Sequence, residues 1–217
     1  MQKAISTQTL RRLPAYMHYL KGLKGGGAAA DIAAAANISA TAIAGELNLN
    51  DVQVRKDLAA VSGRGRPKTG YEINKLISDI ECCLGCGNTD TAVIIGAGKF
   101  GCALLSYEGF LEYGVDIVAA FDIDRNTVDT TVDEKRVFPV EKLPAVCSQF
   151  KITIGIITAR ANEAQRACDL LIENGIKAIW NFAPVHLAVP GHVLVQNENL
   201  GSSLAILSKH LAKKPED

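Results

Sequence analysis

The stretch Val93-Ile94-Ile95-Gly96-Ala97-Gly98-Lys99-Phe100-Gly101 constrains the fold more than any other part of this 217-residue chain. An apolar run enters three glycines spaced G-x-G-x-x-G, and a second run, Asp116-Ile117-Val118-Ala119-Ala120-Phe121, ends at Asp122, about 20 residues past the last glycine. The order strand, tight turn, helix, second strand, acid is that of a dinucleotide-binding unit. Gly96 turns the chain sharply out of the strand, Gly98 leaves bare backbone for a pyrophosphate, and Gly101 lets the next helix pack closely on the sheet. The N–H groups of that helix's first turn then face the phosphates. Gly96, Ala97, Gly98, Lys99, Phe100 and Gly101 are therefore the expected phosphate-binding loop. Asp122 is placed to accept from an adenosine ribose and to repel a 2′-phosphate, which selects NAD over NADP.

The rest of the C-terminal part, residues 88–217, alternates strand and helix patterns. Strands are expected at 92–96, 117–121, 136–138, 152–158, 178–181 and 192–195, with helices near 100–112 and 162–173. Such alternation predicts a Rossmann-like, doubly wound parallel sheet covered on both faces. In the tail, Leu200, Leu204, Leu207 and Leu211 form an apolar stripe that its own domain need not bury, a candidate for exchange across a two-fold dimer.

Residues 1–87 read differently. Leu10, Leu13, Tyr16, Met17, Leu20 and Leu23 recur at three- and four-residue steps, an amphipathic helix over 8–23 that Pro14 bends or begins. Gly25-Gly26-Gly27 ends it, and the alanine-rich run 28–36 reads as an insertion, helical or mobile. A short helix over 38–47, capped by Ser39 or Thr41, leads through Asn48-Leu49-Asn50 into a second helix over 51–61. There Val54, Leu58 and Val61 form the buried stripe, leaving Gln53, Arg55, Lys56 and Ala60 on other faces. Two short helices about a tight turn, the second presenting Gln, Arg and Lys, are the pattern of a helix-turn-helix. The basic segment 62–71, with Arg64, Arg66 and Lys68, suits a wing that reaches phosphates or a minor groove. Residues 72–86 read as a linker helix with Ile73, Leu76, Ile77 and Ile80 on one face.

Charge supports the division. The net charge is zero, but residues 1–71 carry ten basic side chains against four acidic, and the remainder 13 against 19. A basic third on an acidic body is the split expected when one domain meets a polyanion. The length accommodates two small domains. No apolar run is long enough to span a bilayer, and the polar start Met1-Gln2-Lys3-Ala4-Ile5-Ser6-Thr7 lacks a signal-peptide core, so the expectation is a cytoplasmic protein with no membrane partner. In that setting the six cysteines are read as reduced. Cys83-Leu84-Gly85-Cys86 has no second ligand pair to complete a zinc site, so no metal is expected.

Taken together, Arg11-Arg12-Leu13-Pro14, Val54-Arg55-Lys56-Asp57-Leu58, the glycine loop, Tyr107-Glu108-Gly109-Phe110, Phe121-Asp122-Ile123-Asp124 and Asn181-Phe182-Ala183-Pro184 resemble the redox-sensing transcriptional repressors of the Rex family, in order over nearly the whole chain. The resemblance implies a homodimeric repressor with an N-terminal winged helix and C-terminal helices swapped between subunits. It implies binding to double-stranded operator DNA, not RNA, when NADH is low, and release by NADH. It places Gly96, Gly98 and Gly101 at the pyrophosphate, Asp122 at the ribose, Thr158, Asn181 and Pro184 around the dinucleotide, and Tyr107 near the subunit contact that senses nicotinamide. Three positions depart from the family pattern. Pro67 and an extra basic residue alter the wing, the alanine-rich insertion is unusual, and His18 and Asn199 stand where members often carry an arginine and an aspartate.

Two other readings share the glycine loop. A NAD-dependent dehydrogenase needs a proton donor or acceptor beside the nicotinamide, and His186 and His192 have no acidic partner nearby in sequence. The residues after the loop also leave little room for a substrate domain. Asp122 argues against the other, a CoA- or nucleotide-binding ligase subunit, and binding of NADH versus CoA distinguishes the two. The expectation is a regulator and not an enzyme, with no catalytic residues.

Overall fold

In the computed structural model, residues 5–24, 36–87 and 89–212 are described. The chain divides into two compact units, Met1–Asn88 and Thr89–Asp217. The alanine-rich run expected over 28–36 lies outside the described residues except for Ala36.

In the first unit, α1 spans Thr7–Lys24 and buries Leu13, Tyr16, Met17, Leu20 and Leu23, while Leu10 sits at the rim, 36% exposed. Pro14 lies inside this helix and does not begin it; lacking an N–H, it forfeits one helical bond without ending the element. The short α2, Ala40–Glu46, is capped by Ser39, whose hydroxyl accepts from the Ala42 N–H. Asn50 does the same for α3, Asp51–Ser62, accepting from the Gln53 N–H at 3.1 Å. Val54 and Leu58 are fully buried, but Val61 is only half-buried.

The expected linker helix is corrected by the structure. As α4, Ile73–Leu84, it buries Ile73, Leu76, Ile77 and Ile80 against α1 and α3 and belongs to the core of this unit. Four apolar residues on one helical stripe need a partner surface, which a bridging helix would not have. The segment between α3 and α4 forms a wing. Arg66 and Gly70 exchange backbone hydrogen bonds around Pro67, and β2, Tyr71–Glu72, pairs antiparallel with β1, Asn37–Ile38.

The second unit holds a seven-stranded sheet. Its strands are β3 (Asp90–Ile95), β4 (Val115–Asp122), β5 (Thr131–Val132), β6 (Lys135–Pro139), β7 (Ile154–Ile157), β8 (Ala178–Asn181) and β9 (Leu194–Asn197). Their spatial order is β5-β6-β4-β3-β7-β8-β9, parallel throughout except at the edge strand β5. The chain winds outward one way from β3 through β4 and β6, then returns to the other side of β3 with β7. The crevice at the carboxyl ends of β3 and β7 is thus the switch point of a doubly wound sheet. Side chains alternate: Val93, Ile95, Ala119, Phe121, Ile157 and Ile179 face α6 (Leu143–Phe150) and α7 (Ala161–Glu173), while Ala92, Ile94, Ile117, Ala120 and Ile156 pack with Leu105 of α5, Lys99–Leu105.

Several expected boundaries move. The helix expected over 100–112 stops at Leu105; Ser106 turns its hydroxyl back to the Cys102 carbonyl, Tyr107 is extended, and a 3-10 turn follows over Glu108–Tyr113. The strand expected from 152 begins at Ile154, because Lys151 closes α6 in a left-handed conformation. The last strand shifts to 194–197 after the turn in which Val193 N–H donates to the Pro190 carbonyl. Helix α6 was not among the expected helices; Pro144 stands in its first turn, where its missing N–H costs nothing.

Candidate dinucleotide site and nucleic-acid interface

At the end of β3, Gly96 takes φ +108°, and a Cβ there would lie 2.7 Å from the Ala159 nitrogen. Its N–H donates to the Phe121 carbonyl, and Thr158 Oγ1 donates to the Gly96 carbonyl at 2.6 Å, so the loop is tied to β4 and to the residue after β7. At Gly101 a Cβ would sit 2.0 Å from the Gly96 carbonyl oxygen, which is why α5 can start so close to the strand. Around Gly98, by contrast, nothing lies within 4 Å of an added Cβ. Of the three glycines, this one is open toward solvent, as an approaching pyrophosphate requires. Gly98 caps α5 without a side-chain acceptor, and Lys99 and Phe100 are exposed beside it.

Asp122 closes the loop from the second strand. One carboxylate oxygen accepts from the Ala97 N–H at 2.7 Å; the other accepts from the N–H groups of Ile123 and Asp124 at 2.7 and 2.9 Å. The carboxylate is thus fixed over the glycine turn while half-exposed.

The remaining expected residues lie further along the crevice. Asn181 is fully buried: its amide nitrogen donates to the Ala183 and Val185 carbonyls and to Asn197 Oδ1, and its oxygen accepts from the Ala183 N–H. Expected around the dinucleotide, Asn181 turns its side chain to the backbone of 183–185 and so shapes the loop that carries exposed Pro184. Tyr107 is 58% exposed and rests edge-on against Phe110, with ring centroids 4.9 Å apart. Phe110 meets Trp180, Trp180 meets Phe182, and Phe182 meets Phe100 at centroid distances of 5.7, 4.5 and 5.0 Å. This aromatic row joins Tyr107 to the glycine loop. The row itself was missed in the sequence, although Trp180 and Phe182 two residues apart at the end of a strand share one face.

In the first unit, Lys56, Arg64, Arg66 and Lys68 are exposed. Arg55 is too, with an i,i+4 pair to Asp51 at 3.1 Å that is solvent-screened and readily exchanged. Gln53 is exposed, yet its amide nitrogen donates inward to Asp57 Oδ1 at 3.0 Å.

Asp57, 1% exposed, is the centre of a network that the sequence did not suggest. Thr9 Oγ1 donates to it at 3.0 Å, Arg12 Nε and Nη2 at 2.7 and 2.9 Å, and the Tyr16 hydroxyl at 2.8 Å. Burial pushes this carboxyl up, but the hydrogen bonds from Arg12, Tyr16, Gln53 and Thr9 outweigh it and hold it below the usual carboxylate range. Burial, and then the hydrogen bond to Asp57, pushes the Tyr16 phenol up to about 12. The available signal was that position 57 falls on the Val54–Leu58 stripe, where an acid demands partners.

Among the described residues no group of His, Cys, Asp and Glu is arranged to hold a metal ion, and no helix is long and apolar enough to cross a membrane. The six cysteines are free thiols.

The comparisons bear on the whole chain. Over 206 residues, covering 95% of this chain and 95% of the relative, it is 41% identical to the redox-sensing transcriptional repressor Rex of Treponema denticola. The chain belongs to the Rex family. Residues 4–59 match the family described as "Putative DNA-binding protein N-terminus", and residues 88–185 match "CoA binding domain". RSP, a Rex-family repressor solved with NAD⁺ and operator DNA, is 32% identical with a TM-score of 0.85, over 97% of this chain and 94% of that one. The same repressor solved with NADH is 31% identical with a TM-score of 0.82, over 97% and 96%. The fold is accordingly that of Rex proteins, a winged helix-turn-helix followed by a Rossmann-like sheet.

Proposed function

We propose that this chain is a cytoplasmic repressor that holds operator DNA through α3 and the wing while NADH is low, and that NADH releases it. The observation that carries the reading is the glycine loop, closed by packing at Gly96 and Gly101, open at Gly98, and bridged by Asp122 at the switch point. These residues fit a dinucleotide, with the loop backbone at the pyrophosphate, Asp122 at a ribose, and Thr158 holding the turn in shape. The exposed cations Arg55, Lys56, Arg64, Arg66 and Lys68 fit a duplex backbone and groove. Solved relatives with NAD⁺ and operator DNA, and with NADH, support both halves.

When bound, the dinucleotide supplies a nicotinamide ring that is cationic when oxidised and neutral when reduced. The adenosine half is common to both forms, so the residues that discriminate must lie toward the ring. Tyr107, linked through Phe110, Trp180 and Phe182 to Phe100, is the side chain we assign to that task. A complete swing between DNA-competent and incompetent states needs about 5.5 kcal/mol, which two sites of a homodimer can share. The dimer is inferred from α8, Leu200–Ala212, whose Leu200, Leu204, Leu207 and Leu211 are 58 to 86% exposed and need a second copy to cover them, with the helix exchanged between subunits. Regulation is favoured over dehydrogenase chemistry because His186 and His192 are exposed on the loop after β8 and, among the described residues, have no acidic partner.

The test is a mobility shift of operator DNA with NAD⁺ and NADH titrated separately. NADH should dissociate the complex at concentrations where NAD⁺ does not. Equal response to both forms, or no DNA binding in their absence, would overturn the reading.

A further inference from the structure

We propose that Gln53 recognises an exocyclic amino group on a base edge, cytosine N4 or adenine N6, because Asp57 holds its amide with the nitrogen inward and the oxygen outward. This rests on the reading of α3 as the recognition helix. Gln53 is the third residue of α3, after the Asn50 cap, in the first turn from which recognition helices reach base edges.

A surface glutamine normally turns its amide either way, and with both ends free it reads adenine bidentately. Here one end is committed. Asp57 Oδ1 accepts from Gln53 Nε2, Arg12 Nη2 and Thr9 Oγ1, while Oδ2 accepts from Arg12 Nε and Tyr16. Four of these five donors come from α1, so the carboxylate is anchored there and cannot turn to follow Gln53. Flipping the amide would set its carbonyl oxygen against a carboxylate oxygen and exchange a charge-assisted hydrogen bond for a repulsion. Gln53 Oε1 is left as the outward acceptor.

In the major groove only cytosine and adenine offer a hydrogen at the matching position, whereas guanine O6 and thymine O4 are acceptors. Neighbouring Arg55 and Lys56 are donors and favour guanine or phosphate. The buried acid thus makes the helix present one acceptor among cations, and predicts one position per half-site where A or C is preferred over G or T.

The experiment selects bound duplexes from a pool randomised over the operator positions, using the full NADH-free chain and sequencing the bound fraction. Wild type should show one such position with a preference of about tenfold, the size of a single good base contact. Gln53→Met should remove that preference; Gln53→Glu is no substitute for it, because its second carboxylate oxygen would face Asp57 Oδ1 where the Gln53 amide now donates. Asp57→Asn has an amide that donates as well as accepts, so it should release Gln53 and admit G or T there. If Asp57→Asn does not fold, Gln53→Met decides alone. The proposal is overturned if Gln53→Met alters no position, or if the position it alters prefers G or T in wild type. Arg55→Ala and Lys56→Ala, run in parallel, separate the two levels. If they lose affinity while Gln53→Met is silent, only the Gln53 assignment fails; if they bind unchanged, the placement of α3 fails.

Discussion

Substituting alanine at two glycines of one loop separates folding from ligand binding. Gly98 has φ −67° and ψ −177°, a conformation open to any residue, and a methyl there touches nothing within 4 Å. Gly98→Ala should leave the fold intact and even gain about 0.4–1 kcal/mol, because the unfolded chain loses freedom. In a domain of this size that is a rise of at most roughly 6 °C in melting temperature. The same methyl occupies the space through which a pyrophosphate reaches the backbone, so affinity should fall at least about tenfold, or about 1.4 kcal/mol. NAD⁺ and NADH should lose equally, since both carry the pyrophosphate. Gly101→Ala should do the reverse in order. Its Cβ would lie 2.0 Å from the Gly96 carbonyl, so α5 must retreat by more than about 1 Å to reach normal contact. Overpacking of this kind costs roughly 1–3 kcal/mol, lowering the melting temperature by several degrees before any ligand is added. The assays are thermal denaturation by circular dichroism and energy transfer from Trp180 to NADH. In the mobility shift, Gly98→Ala should remain on the operator at NADH concentrations that release wild type. Wild-type NADH affinity in a folded Gly98→Ala protein would refute the placement of the pyrophosphate, and a marked loss of melting temperature would refute the open geometry.

Asp57→Ala leaves the Arg12, Tyr16 and Thr9 donors without their acceptor; breaking a buried pair costs about 3–5 kcal/mol, toward the low end because the Arg12 side chain is 26% exposed, and denaturation of the first unit should register it. A pH series follows from the same network. The Asp57 carboxyl is lowered from 3.8, so its contribution is present above that value and lost as pH falls through the lower folded one. Tyr16, raised from 10.0 to about 12, contributes below pH 10 and loses its share between there and pH 12. A first unit that loses stability between pH 7 and 5, with histidines accounted for, would contradict this. Asp122→Ala should weaken NADH binding and erode discrimination against NADPH, since the ribose loses an acceptor and the Ala97 N–H its partner; unchanged affinity by energy transfer would remove Asp122 from the site. Tyr107→Phe keeps the edge contact with Phe110, so NADH binding should persist while release from DNA is blunted. Release at the wild-type NADH concentration would exclude the phenol from the relay.

The glycine loop, the acid after the second strand, the parallel strands and the helix-turn-helix were legible because each is a local device. A turn needing φ +108° demands glycine, periods of 2 and 3.6 mark buried faces, and Ser39 and Asn50 announce helix starts wherever the rest of the chain goes. Boundaries were less legible where side chains compete with backbone, as at Ser106, or where one left-handed residue such as Lys151 ends an element. The role of the 72–86 helix was misread because an apolar stripe does not reveal what will cover it. Tertiary structure alone made Asp57 a centre. Its partners Thr9, Arg12 and Tyr16 stand 41 to 48 residues away, and no local pattern encodes which donors will reach a buried acid. The inward turn of the Gln53 amide and the aromatic row from Tyr107 to Phe100 were decided in the same way. Sequence periodicity selects which faces are buried, whereas the hydrogen-bond and ring partners found there depend on how the packed elements meet.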